Sequence, residues 1–167
     1  MKLRAMPVVL LALVVLLPLS HLEFERVDDS WLLRVDGRPV DMAGALAQAY
    51  TRWQRDCGPV QAVAASEALH AEVLSALRQH SPPDSNNAEL TRLTRLGPWL
   101  LAQVRFGVLQ DALVLLEHSE AGVHVAEGGV WSGTTHPHRP EPLIRRYLQS
   151  RVPAAPAQLL ACWDAPD

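Results

Sequence analysis

The sequence predicts an α+β domain, with helices gathered early and an antiparallel sheet later. Three observations support this. Ala43, Leu46, Ala47, Tyr50 and Trp53 recur at helical spacing. Leu69, Val73, Ala76 and Leu77 do so again. From Trp99 onward, apolar residues follow strand spacing, with short turn segments between the runs.

The chain opens differently. Lys2 and Arg4 precede Ala5–Leu19, AMPVVLLALVVLLPL, a charged front followed by an apolar run of signal-peptide length. The run falls short of the roughly 20 residues that a spanning helix uses. Positive charge in front holds the N-terminus in the cytoplasm and sends the rest across. Pro18 and Ser20 offer positions −3 and −1 for cleavage; the other reading is an uncleaved anchor held in the inner membrane through residues 5–19. No cysteine stands directly after the run, so a lipoprotein anchor is not expected. Residues 1–20 are thus expected to be a signal peptide or signal anchor, and residues 21–167 a single α+β periplasmic domain.

Within that domain, Ser30–Val40 reads SWLLRVDGRPV. Asp36-Gly37 is a two-residue hairpin signal, because both residues tolerate positive φ. Asp41–Asp56 is expected as an amphipathic helix with the Ala43 to Trp53 stripe inward, ended by Gly58-Pro59. Residues 59–65 read equally as a short strand or as helical turns. From Ser66 to His80 a helix is predicted, and Ser81–Asn87 is a loop by composition. Trp99–Phe106 is expected as a strand with Leu100, Ala102, Val104 and Phe106 in the core and a more polar opposite face. Ala112–His118 is apolar on both sides and should lie inside the sheet. Ser119–Gly122 turns the chain and Val123–Trp131 returns, completing a meander. Glu141–Arg151 should be a last helix with Leu143, Ile144, Tyr147 and Leu148 inward, and Ala157–Trp163 a last strand. A cystatin-like or nuclear-transport-factor-like wrap of helix on curved sheet would suit this order.

Two cysteines, Cys57 and Cys162, both follow the export segment, and an even count in an oxidising compartment predicts a disulfide between them. The chain carries a formal net charge of −3, with Lys2 as its only lysine. Without residues 1–20 the balance is 13 basic to 18 acidic residues, or −5. An acidic body argues against nucleic acid as a partner, since a phosphate-backbone binder needs a dense positive face.

The stretch GGVWSGTTHPHRPEP holds the most distinctive side chains. His136-Pro137-His138 supplies two imidazoles, short of the four ligands that a structural zinc site needs; no metal or cofactor is expected. Ser132 lacks the flanking glycines of a nucleophile elbow, with Val130 and Thr134 in their places. Gly128-Gly129 marks a bulge or strand end. His118 and His124 share a face only if the turn between them has three residues, and sequence leaves that register open. Arg145, Arg146 and Arg151 are read as complementing the dipole of the last helix, the alternative being a basic face for an anionic ligand, and the five tryptophans as core or rim packing, the alternative being a sugar-stacking cleft. Trp131, His136, His138 and Arg139 together form a candidate interaction surface, because Trp and Arg are enriched among interface hot spots.

The segments WLLAQVRF, GVWSGTTHPHRP, LIRRYL and VPAAPAQLLAC resemble a family of small exported proteobacterial proteins over residues 99–162. That resemblance implies export and domain identity, and no reaction. The function expected is that of a non-catalytic envelope protein, a binding or accessory module with another envelope protein as its partner. The alternatives are a periplasmic hydrolase centred on the Gly129–His138 loop and a small-ligand carrier. Convergence of Ser132, a histidine and a carboxylate would mark the first, and an apolar cavity the second.

Overall fold

The computed structural model describes residues 22–27, 30–40, 42–80, 83–107, 109–133 and 140–165. The export segment and the stretch Thr134–Arg139, which includes His136, His138 and Arg139, lie outside the described residues. The chain divides into two compact units, Met1–Thr51 and Arg52–Asp167.

In the first unit, β1 (Leu22–Val27), β2 (Ser30–Val35) and β3 (Arg38–Val40) form an antiparallel sheet in that order. The expected hairpin is present: Val35 stands opposite Arg38, with φ of 53° at Asp36 and 73° at Gly37. Positive φ at both central residues gives the turn whose twist matches its strands. β1 was not foreseen. Its signal is the alternation of Leu22 and Phe24 with Glu23 and Glu25, and Glu25 pairs with Arg34 at 2.6 Å.

α1 (Met42–Gln54) matches the predicted helix, but its stripe does not turn inward. Leu46, Tyr50 and Trp53 are each more than half exposed, Trp53 to 81%.

The second unit contains β4 (Gln61–Ala62), α2 (Ala68–His80), a 3-10 turn (Asp84–Asn87), β5 (Glu89–Leu96), β6 (Trp99–Arg105), β7 (Ala112–Ser119), β8 (Gly122–Ser132), α3 (Pro140–Arg151) and α4 (Ala157–Ala161). The sheet is an antiparallel meander in the order β4-β5-β6-β7-β8. On one face Leu100, Ala102, Val104, Val114 and Leu116 pack with Val73 and Leu77 of α2. On the other, Leu101, Leu113 and Leu115 pack with Ile144 and Leu148 of α3 and with Leu159, Leu160 and Trp163. The expected helix-on-sheet wrap therefore accounts for one face only. Leu101, expected on the more polar face of β6, is buried, and Phe106 is half-buried rather than core.

Four further differences have local causes. β5, which the apolar spacing concealed, carries Leu90, Leu93 and Leu96 at intervals of three. The register shifts between Leu90 and Arg92, and that extra residue returns Leu90 and Leu93 to one face. Ala157–Ala161 is a helix rather than a strand: its sequence AQLLA has no β-branched residue and consists of strong helix formers. Leu143 of α3 is half exposed, whereas Ile144 and Leu148 are buried as expected. Arg145 does not serve the helix dipole; it turns toward the chain's C-terminal segment.

The second bulge is larger. Val114 faces Val130 while Leu116 faces Val125, so β8 carries extra residues around Glu127-Gly128-Gly129. Gly128 has φ of 72°. At Gly129 a Cβ would stand 2.9 Å from the Ala126 carbonyl oxygen and 3.1 Å from the Leu115 Cβ. Gly129→Ala is accordingly expected to cost about 1–3 kcal/mol, since backbone must move to admit it. A lowered urea midpoint with an unchanged slope would verify this.

Candidate functional site

The disulfide builds the site. Cys57 and Cys162 are bonded, with Cα atoms 5.7 Å apart. Around that bond, Gln158 Nε2 donates to the Asp56 carbonyl at 2.7 Å. Arg55 donates to the Ala161 carbonyl at 2.7 Å, satisfying an acceptor that the end of α4 leaves open. The C-terminal segment Cys162–Ala165 is thereby fixed across one end of the sheet. A disulfide fits an oxidising, exported location. Among the described residues no helix is long and apolar enough to cross a membrane.

Beneath that segment lies a cleft of about 550 Å³. Its floor is one cross-strand row: Arg92 of β5 faces Gln103 of β6, Gln103 faces Leu113 of β7, and Leu113 faces Trp131 of β8. Side chains in register on neighbouring strands share a face, so the row passes from a cation through an amide to apolar surface. Ile144 and the segment Trp163-Asp164-Ala165 close the far side. Trp131 is set by Tyr147, whose ring meets it edge-on at 5.0 Å and 71°. The Arg151 guanidinium in turn lies over Tyr147 at 5.5 Å.

Charge at the closed end is uneven. Three guanidinium groups share the Asp164 carboxylate: Arg55 at 2.5 Å, Arg52 at 3.5 Å and Arg145 at 3.6 Å. Arg145 also donates to the Trp163 carbonyl. Burial alone would push the Asp164 carboxyl up, but the hydrogen bond from Arg55 and the charges of Arg55, Arg52 and Arg145 outweigh it and hold it below its ordinary value. Burial, with the like charge of Arg55, pulls Arg145 down against the opposing effect of Asp164 and Glu141; as an arginine it stays charged. Three buried polar atoms here lack a hydrogen-bond partner: Arg145 Nε, Trp163 Nε1 and Asp164 Oδ1.

Asp164 yields a pH prediction. Its carboxyl is lower in the folded chain than in the unfolded one, so it stabilises above about pH 4, the ordinary Asp value, and that contribution is lost as pH falls through the folded value. Asp164→Asn should cost roughly 1–3 kcal/mol at pH 7, between the values for exposed and buried pairs. Thermal unfolding from pH 7 to pH 2.5 should show the gap between wild type and variant closing at the acid end.

Of the candidate interaction surface, Trp131 lines this cleft, and His136, His138 and Arg139 fall outside the described residues. The cleft also uses residues that were not singled out as a site: Trp163, Asp164, Arg92 and Gln103. Ser132 points elsewhere. Its hydroxyl donates to the Gln110 carbonyl at 3.4 Å, and it shares a smaller pocket of about 210 Å³ with His80 that no described carboxylate lines. His118 and His124 face opposite ways, because Ser119 pairs with Gly122 across a two-residue turn. They contact Glu72 and Glu117 respectively. Among the described residues no three His, Cys, Asp or Glu side chains gather as metal ligands would.

No protein-family model, curated protein or solved structure matches the chain.

Proposed function

We propose that the chain is an exported, non-catalytic binding protein of a bacterial envelope, and that binding takes place in the cleft beneath Trp131. The observation that supports this best is the cleft itself. Its volume falls within the roughly 300–1,000 Å³ of small-ligand sites, and it combines apolar wall with polar groups, the Trp163 indole and the charged Arg92, Arg105, Asp111 and Asp164. One of those groups, the buried Trp163 indole N–H, has no hydrogen-bond partner. A buried donor left unmatched costs about 1–3 kcal/mol, and an occupant of the cleft would relieve it. This favours the alternative of a small-ligand carrier over the module with another envelope protein as its partner. The disulfide and the apolar run behind Lys2 and Arg4 support placement in the periplasm, free or held at the inner membrane through residues 5–19. The resemblance over residues 99–162 supports the same placement.

Two measurements test this. A phosphatase reporter fused after Asp167 should be active only outside the cytoplasm; cytoplasmic activity of a reporter that folds there would overturn export. Binding of 1-anilinonaphthalene-8-sulfonate should be one-to-one and weaken about 10-fold or more in Trp131→Ala, as expected for an aromatic anchor. Ser132→Ala should leave it unchanged. Equal binding by wild type and Trp131→Ala would overturn the site.

A further inference from the structure

We propose that the ligand of this cleft is a small carboxylic acid carried on an apolar body, an inference that rests on the binding reading above. One buried donor of the lining, Trp163 Nε1, is left without an acceptor. The unmatched Asp164 Oδ1 already lies 3.5 Å from the Arg52 Nε and 3.6 Å from an Arg145 nitrogen. Its charge is met, so the outstanding need is for an acceptor. Three guanidinium groups, Arg52, Arg55 and Arg145, already stand against Asp164, and the buried Glu141 also acts on Arg145, so Asp164 asks for no cation from a ligand.

The floor points the same way. Arg92 begins the cross-strand row and forms no ion pair among the described residues, whereas the other cation of the lining, Arg105, stands 3.9 Å from Asp111. A cationic ligand would meet the Arg92 charge unfavourably, and a neutral one would leave it unmatched. An anion with two acceptor oxygens answers both the Trp163 donor and the Arg92 charge. The apolar body follows from the remaining walls, Leu113 and Ile144 with the ring of Trp131. An aromatic body suits them best, because Trp131 already presents its ring to Tyr147 edge-on and keeps a fixed orientation.

Isothermal titration of the full-length protein with 3-phenylpropionate and with its neutral isostere 3-phenylpropanamide tests this. The carboxylate should bind at one site, about 10-fold more tightly than the amide, as expected where a charged group accepts the hydrogen bonds. Trp163→Phe should weaken the carboxylate about 10-fold and the amide less. Because Trp163 is buried and that variant can fail to fold, Arg92→Gln serves beside it: an exposed substitution that should weaken the carboxylate about 3-fold and leave the unfolding midpoint unchanged. Equal or tighter binding of the amide would overturn the ligand class while leaving the cleft a binding site. No binding of either compound, together with no dependence of 1-anilinonaphthalene-8-sulfonate binding on Trp131, would overturn both.

Discussion

Replacing Cys57 and Cys162 together by serine is expected to lower the stability of the protein by about 4–5 kcal/mol, the chain-entropy value for a closed loop of this length. The bond joins residues 105 apart, so it restricts most of the unfolded second unit at once. Domains of this size are commonly stable by only about 5–15 kcal/mol, and the loss would leave little margin. The native contacts around the bond would survive the substitution: Arg55 still reaches the Ala161 carbonyl, and Gln158 still reaches that of Asp56. The effect should therefore appear in the equilibrium unfolding of the serine variant, with the native secondary structure kept under mild conditions. Guanidinium unfolding of the oxidised protein and of the double variant measures it. A midpoint that does not move would mean that the bridge adds nothing to those contacts.

The second large effect is in the sheet. Val104 is 1% exposed, among Leu93, Leu100, Ala102 and Val114 on the face that α2 covers. Val104→Asp would place a carboxylate where no described cation reaches it, at a cost of about 4 kcal/mol or more. Gln103→Asp, one residue away, falls on the opposite face in the floor of the cleft, half-buried and open to solvent on one side. It should cost less than about 1 kcal/mol. Circular dichroism melts of the two variants should differ widely; equal shifts would contradict the assignment of faces.

How far the fold could be read from sequence depends on how local each determinant is. The Asp36-Gly37 hairpin, the interior strand β7 and the helix carrying Val73 and Leu77 were legible, because turn chemistry and periodicity lie within a few residues. β6 was half legible. Gln103 and Arg105 made its second face look polar, yet only the end of the strand that meets the cleft is open, and Leu101 is buried beneath α3 and α4. β5 was hidden because its bulge turned a strand spacing into threes. The apolar stripe of α1 was real in sequence, but Leu46, Tyr50 and Trp53 are exposed, since periodicity marks an apolar face without supplying what covers it. The site divides in the same way. Trp131 could be singled out because it stands beside a distinctive loop. Trp163 and Asp164 could not, and Arg145, although noticed as part of a basic face, could not be placed with them, because their meeting depends on a closure between residues 57 and 162. The signal available was the dipeptide Trp163-Asp164 directly after a bonded cysteine, with Arg52 and Arg55 just before the other one.

The central claim is that the segment fastened by the disulfide and the row ending at Trp131 form one binding cleft. The most direct measurement follows the indole N–H resonances of ¹⁵N-labelled full-length protein, assigned by single substitution, as 3-phenylpropionate is added. The account predicts saturable shifts of the Trp163 and Trp131 signals, largest for Trp163, while that of the exposed Trp53 stays still. Shifts confined to Trp53, or none at all, would contradict it.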